Sequence, residues 1–242
     1  MIRTLLVRGL LVGLAAGLIA AVFAYLVGEP HVNQAIALEE AASHAQAAAE
    51  HSHAEEELVS RSGQQAGLFL ALALYGMAVG GIFALVYAGV RGRIGPRTDA
   101  ALSGTMAATA FVAIVLVPFV KYPANPPAVG DPDTINGRTT YYLVMVAIGL
   151  LAVALAVAAA RKVPEHRYLA GAVGFLAPVI AAWLLLPTVN EVPAGFPATL
   201  LWDFRLSSLG TQLVLWSAIG VLYGVAAERG VRRRSLAVTV PT

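Results

Sequence analysis

Charge alternates across six long apolar runs, and that alternation leaves one class of fold. The runs lie at roughly 5–27, 67–90, 98–120, 140–160, 168–187 and 208–227, each near the ~20 residues that span hydrocarbon. With six crossings, twelve of the sixteen Lys and Arg residues fall on one side, from Arg3 and Arg8 through Arg91, Arg161 and Arg167 to Arg232–Arg234. The other four are Arg61, Lys121, Arg138 and Arg205, and eleven of the fourteen acidic residues share their segments. Cytosolic loops retain positive charge because carrying it across during insertion is costly. The chain is therefore expected to be an all-α integral membrane protein. The pattern makes it a single membrane domain over 1–242, with both termini in the cytosol. Its outward loops are 28–66, 121–139 and 188–207.

Composition agrees with that placement. Charged residues make up 12% of the chain and hydrophobic ones 58%, against about 25% charged in a soluble domain. Mean hydropathy is +0.74. The pI near 9.0 does not point to nucleic acid, because the basic residues flank spans instead of forming a patch. Their natural partner is membrane lipid. Cysteine is absent, which excludes disulfides, thiolate metal sites and Fe–S clusters. The apolar run from Leu10 through Val27 is longer than a signal peptide's core, so it is expected to stay as the first span.

Small residues recur every fourth position: Gly9, Gly13 and Gly17, then Gly76 with Gly80, and Gly220 with Gly224. Such spacing lines one helix face and permits close backbone approach, expected here within the chain. Pro118, Pro178 and Pro187 lie late in outward-going helices, where they can kink them.

The first outward loop concentrates the chemistry. Four of the five histidines are in it: His31, His44, His51 and His53. The segment Ala35–Leu58 is rich in Ala and Glu, so much of the loop should be helical. On a helix Glu40, His44, His51 and Glu55 share one face, and His53 with Glu57 forms a second i, i+4 pair. Neutral imidazole and carboxylate together suit Co(II), Ni(II) and Zn(II). The same composition also describes a solvated linker. Glu29 and His31 sit where the first span leaves the membrane and are candidates for a mouth between helices.

In the second outward loop Asn125, Asp131 and Asp133 offer oxygen, although Asp131-Pro132-Asp133 also fits a turn. In the third, Glu191 and Asn190 are candidate ligands, while Arg205 fits an ordering role. The candidate metal set is therefore Glu29, His31, Glu40, His44, His51, His53, Glu55 and Glu191.

Several segments carry a resemblance. They are Gly28-Glu29-Pro30, the run from Lys121 to Pro132, the run from Leu186 to Ala198, and Leu201-Trp202-Asp203-Phe204-Arg205. Ser208, Gly210, Gln212, Trp216 and Gly220 continue it. Over essentially its whole length the chain resembles the CbtA-type predicted cobalt transporter subunits. The resemblance implies a multi-pass protein of the bacterial inner membrane, linked to cobalt supply for cobalamin synthesis. It also implies pairing with a small His-bearing membrane subunit, CbtB. The histidines of the first loop lie outside the matching segments.

The function expected is a permease subunit for a divalent transition metal, most of all cobalt, which is cargo rather than a tightly bound cofactor. The alternative is a non-transporting scaffold or metal-sensing partner. No catalytic residues are proposed, since no HExxH, nucleophile triad or dinucleotide fingerprint occurs. No GxxxxGK[ST] loop occurs either, so direct use of ATP would need another subunit. The spans hold no acid or histidine at mid-membrane, and a polar path would draw on Ser103, Thr105, Thr109, Gln212, Ser217 and backbone freed by prolines.

Overall fold

The computed structural model of the protein describes residues 2–50 and 59–238, with side chains described for 3–44 and 59–230. Its α-helices are α1 (Ile2–Phe23), α2 (Glu29–Glu50), α3 (Arg61–Val90), α4 (Asp99–Ala110), α5 (Val117–Lys121), α6 (Ile135–Lys162), α7 (Arg167–Leu185) and α8 (Ala198–Val238). No strand occurs among the described residues. Six helical segments are long and apolar enough to cross a membrane: Arg3–His44, Arg61–Val90, Asp99–Lys121, Pro132–Lys162, Pro164–Leu185 and Ala198–Gly230. The all-helical architecture with six such segments is as the hydropathy pattern predicts.

Two π-helical turns, Ala24–Gly28 and Phe111–Leu116, join α1 to α2 and α4 to α5. Each ends two residues before a proline, Pro30 and Pro118. A proline has no N–H for the carbonyl four residues back, and its ring crowds that carbonyl. Those carbonyls belong to Leu26 and Ile114, both inside the π-turns. Pairing shifted by one residue, as in the Val117 N–H to Val112 carbonyl bond, lets the helix continue past the proline. The Tyr142 hydroxyl donates to the Ile114 carbonyl at 3.5 Å.

Helix therefore runs on past the first apolar run as far as Glu50, which the segment's Ala and Glu content favours. After α7 the chain does break. Pro187 holds Leu186 extended (ψ 146°), ending the helix. The next helix starts at Ala198, well before the expected 208, with the Pro197 carbonyl accepting from the Leu201 N–H at 3.1 Å.

The chain divides into two compact units. The first comprises Met1–Leu26, Glu57–Ala108 and Thr211–Thr242. In it α1 lies antiparallel against α3 with glycine facing glycine. A Cβ at Gly13 would overlap the Gly76 carbonyl oxygen, and one at Gly9 would overlap that of Gly80. In the same unit Gly220 and Gly224 of α8 meet Ala107 and Ala100 of α4, at 2.8 and 3.0 Å from a Cβ built on each glycine. The buried Ser103 hydroxyl ties the two helices by donating to the Gly220 carbonyl at 2.8 Å. Tyr223 packs edge-on against Phe83 and Tyr87, with ring centres at 5.3 and 4.8 Å.

The second unit comprises Val27–Glu56 and Thr109–Gly210. Its core forms where α5, α6 and α7 meet, around Val117, Met145 and Ala182, with Ile148, Phe175 and Val179 packed on it. Gly149 of α6 allows the Ala113 carbonyl to sit where a Cβ would otherwise be. Much of α7 presents apolar side chains outward, Leu169, Leu176 and Leu184 among them, as a lipid-facing helix does.

Candidate functional site

In the second unit, the two Pro-rich loops and the first turns of α8 form a hydrogen-bonded mat. Tyr122 donates to the Pro187 carbonyl at 2.7 Å, and Lys121 donates to the Trp183 carbonyl at 2.8 Å. The latter bond satisfies one of the open carbonyls at the end of α7. Arg205 reaches back to the second loop, donating to the Ala124 carbonyl at 3.2 Å and to Asn125 Oδ1 at 2.9 Å. Asn125 is thus an acceptor for Arg205, and Arg205 has the ordering role its position suggests. The Asp131 carboxylate accepts from the Asp133 N–H at 2.9 Å, which is turn chemistry.

Glu191 is at the centre of this mat. Its Oε2 accepts from the Asp131 N–H at 2.9 Å and lies 3.4 Å from Arg138 Nη1. The Asp131 N–H, the neighbouring Thr134 hydroxyl and Arg138 together hold the Glu191 carboxyl below its usual range. Arg138 also donates to the Asp131 carbonyl at 3.2 Å. Gly130, at φ +120°, leaves room for that guanidinium, since a Cβ there would overlap it.

Glu29 opens α2 directly after the first π-turn and is buried, at 8% exposure, with Gly28 close to the Ser207 hydroxyl. His31, one residue past Pro30, is partly buried. Farther along α2, Glu40 and His44 are exposed one turn apart on the same face. His51, His53 and Glu55 lie outside the described residues. Among the described residues no three His, Asp or Glu side chains come together as a metal-binding group. The geometry thus offers a graded series on one helix, from exposed Glu40 and His44 to buried Glu29.

The sequence reading missed two features. Asp99, at the start of α4, is buried and accepts from the Tyr87 hydroxyl and the Arg91 guanidinium, both at 2.6 Å. Its signal was an acid just after Arg91, Arg93 and Arg97, twelve residues from a tyrosine. The second is on α8, where Trp216 and Tyr223 bury polar atoms while Ser217 is exposed. Thr105 is likewise exposed, and Ser103 is committed to Gly220.

A family model described as probable cobalt transporter subunit (CbtA) matches residues 2–228. The chain belongs to the CbtA family. Neither the curated proteins nor the solved structures include a match to it. Membership, with six segments able to span a bilayer, makes the chain a multi-pass membrane protein and a subunit of a cobalt transporter. That role is not an enzymatic one.

Proposed function

We propose that the protein is the membrane-spanning permease subunit of a cobalt uptake system in a bacterial inner membrane, with both termini in the cytosol. The observation that carries this reading is α2, which runs helically from exposed Glu40 and His44 back to buried Glu29. His51, His53 and Glu55 follow them in sequence, and together these groups raise the local concentration of Co(II). Glu29 and His31 then take the ion at the mouth. Glu191 joins them by exchanging its bond to Arg138 for the metal. Irving–Williams ordering favours Ni(II) on such ligands, so selectivity rests on geometry rather than on ligand type.

An inside-negative potential is enough to drive a dication inward, at roughly 2 × 2.3 kcal/mol per 100 mV. A small His-bearing CbtB-type subunit is the expected partner, consistent with the family's description as a subunit. Replacing Glu29, His31 and Glu191 together with Ala should abolish cobalt uptake while leaving membrane insertion unchanged. Uptake equal to the parent's would remove the mouth site. Metal binding without flux in the parent protein would favour a scaffold or sensor instead.

A further inference from the structure

Arg8 lies within the first membrane-length segment, Arg3–His44, and is half-buried. Its guanidinium rests on the backbone of α8, where a Cβ built on Gly230 would lie 2.5 Å from Arg8 Nη2. Its charge also acts on buried Tyr223, seven residues before Gly230 and so on the same face of α8. All three residues belong to the first unit. Among the described residues Arg8 makes no hydrogen bond and no ion pair. The acids at this end of the unit are engaged elsewhere. Asp99 accepts from Tyr87 and Arg91, both at 2.6 Å, so its charge is matched by that of Arg91. Glu228 is exposed and, two residues before Gly230, projects from another side of α8. Arg3, Arg93, Arg97 and Arg229 are exposed at the same end, and Arg232–Arg234 follow in sequence with no acid through Thr242. Arg8 is thus a half-buried positive charge in a positive field, with no counter-charge among the described residues.

A guanidinium at the edge of the hydrocarbon is costly unless an anion meets it. We infer that Arg8, seated on α8 at Gly230, binds the phosphate of an anionic membrane lipid. The planar fork of a guanidinium matches two phosphate oxygens at once. Side chains on a helix lean toward its N-terminus, which carries the Arg8 guanidinium from its place on α1 toward the headgroups. Arg8 is partly exposed, so the phosphate meets it at the protein surface and enters no cavity. A lipid fits better than a free phosphate ester because Val7 and Leu11, beside Arg8 on α1, present apolar side chains 47% and 62% exposed. Acyl chains can lie against them while the headgroup reaches Arg8. An anionic headgroup fits better than a zwitterionic one, because an ammonium would be repelled by the arginines at this end. Gly230 makes the seat, since any side chain there would push the guanidinium off the helix. The inference needs only a bilayer and is independent of the permease reading.

The test uses the full protein, delipidated in detergent and offered dioleoylphosphatidylglycerol or dioleoylphosphatidylcholine, with bound lipid counted by native mass spectrometry. The parent should retain the phosphatidylglycerol in preference to the phosphatidylcholine. Arg8→Gln should weaken phosphatidylglycerol binding about tenfold, the loss expected for charge-assisted bonds to phosphate. Arg97→Gln removes the same charge from an exposed position at that end and should leave binding within about twofold of the parent's. Equal retention of the two lipids by the parent, or equal losses in the two variants, overturns the inference. Displacement of the lipid by an equal concentration of inorganic phosphate overturns the lipid assignment. Because Arg8→Gln can disturb packing, Gly230→Val is the second variant. It keeps every charge but displaces the guanidinium, so it should weaken phosphatidylglycerol binding by a similar factor. Unchanged binding in Gly230→Val overturns the seat on α8.

Discussion

The two units are held together by different contacts. In the second, Arg205, Glu191, Tyr122 and Asp131 each find a partner across the Pro-rich loops, so their polarity holds loops in place. In the first, the helices are drawn together by glycine and alanine. The contrast sets polar cross-links between loops against close small-residue packing between helices.

The sharpest way to break the contrast is at the glycine contacts. Gly13→Leu puts a side chain where the Gly76 carbonyl lies, with no flexible neighbour to yield. It should cost about 3 kcal/mol through overpacking and lower the thermal midpoint in detergent. A midpoint within error of the parent's would refute the packing account of the first unit. Next in size is Arg205→Ala, which removes two bonds from a guanidinium to the second loop. About 1.5–3 kcal/mol is expected, seen as faster proteolysis near Ala124 with the α1–α3 contact unaffected.

The smallest effect is one of pH. The Glu191 carboxyl lies below its reference value of 4.5 in the folded protein, so its tie to Asp131 and Arg138 is fully present above that value. Stability from it should be lost as pH falls through the lowered folded value. Pepsin cleavage in the 187–197 loop should therefore accelerate only on strong acidification, and Glu191→Gln should flatten that dependence. A parent loop that opens instead near neutral pH would contradict the assigned sign.

Much of the fold could be read from the chain, because hydropathy and charge are summed over whole spans. The glycine stripes pointed to close packing, but only the structure pairs Gly13 with Gly76. The π-turns were hidden, since Pro30 and Pro118 look like breakers until the reassigned pairing around Leu26 and Ile114 is known. The rotation of each helix was hidden too. Ser217 and Thr105 are polar in the sequence yet exposed, while the one-letter polarity of Trp216 and Tyr223 gave no sign of their buried, unpaired atoms. The Glu191 partners lie in another loop, 60 residues away at Asp131, which local spacing cannot reveal. On α2 the helix was legible from Ala and Glu content, whereas the burial of Glu29 depends on what packs beside Gly28.

The most direct test is radioactive cobalt uptake in metal-starved bacterial cells, with and without the protein, and with and without the small His-bearing partner. Excess nickel, zinc or magnesium would compete. Saturable uptake that depends on the protein and resists the competing ions is the predicted result. No added uptake in either format, with the protein verified in the membrane, would contradict the permease account.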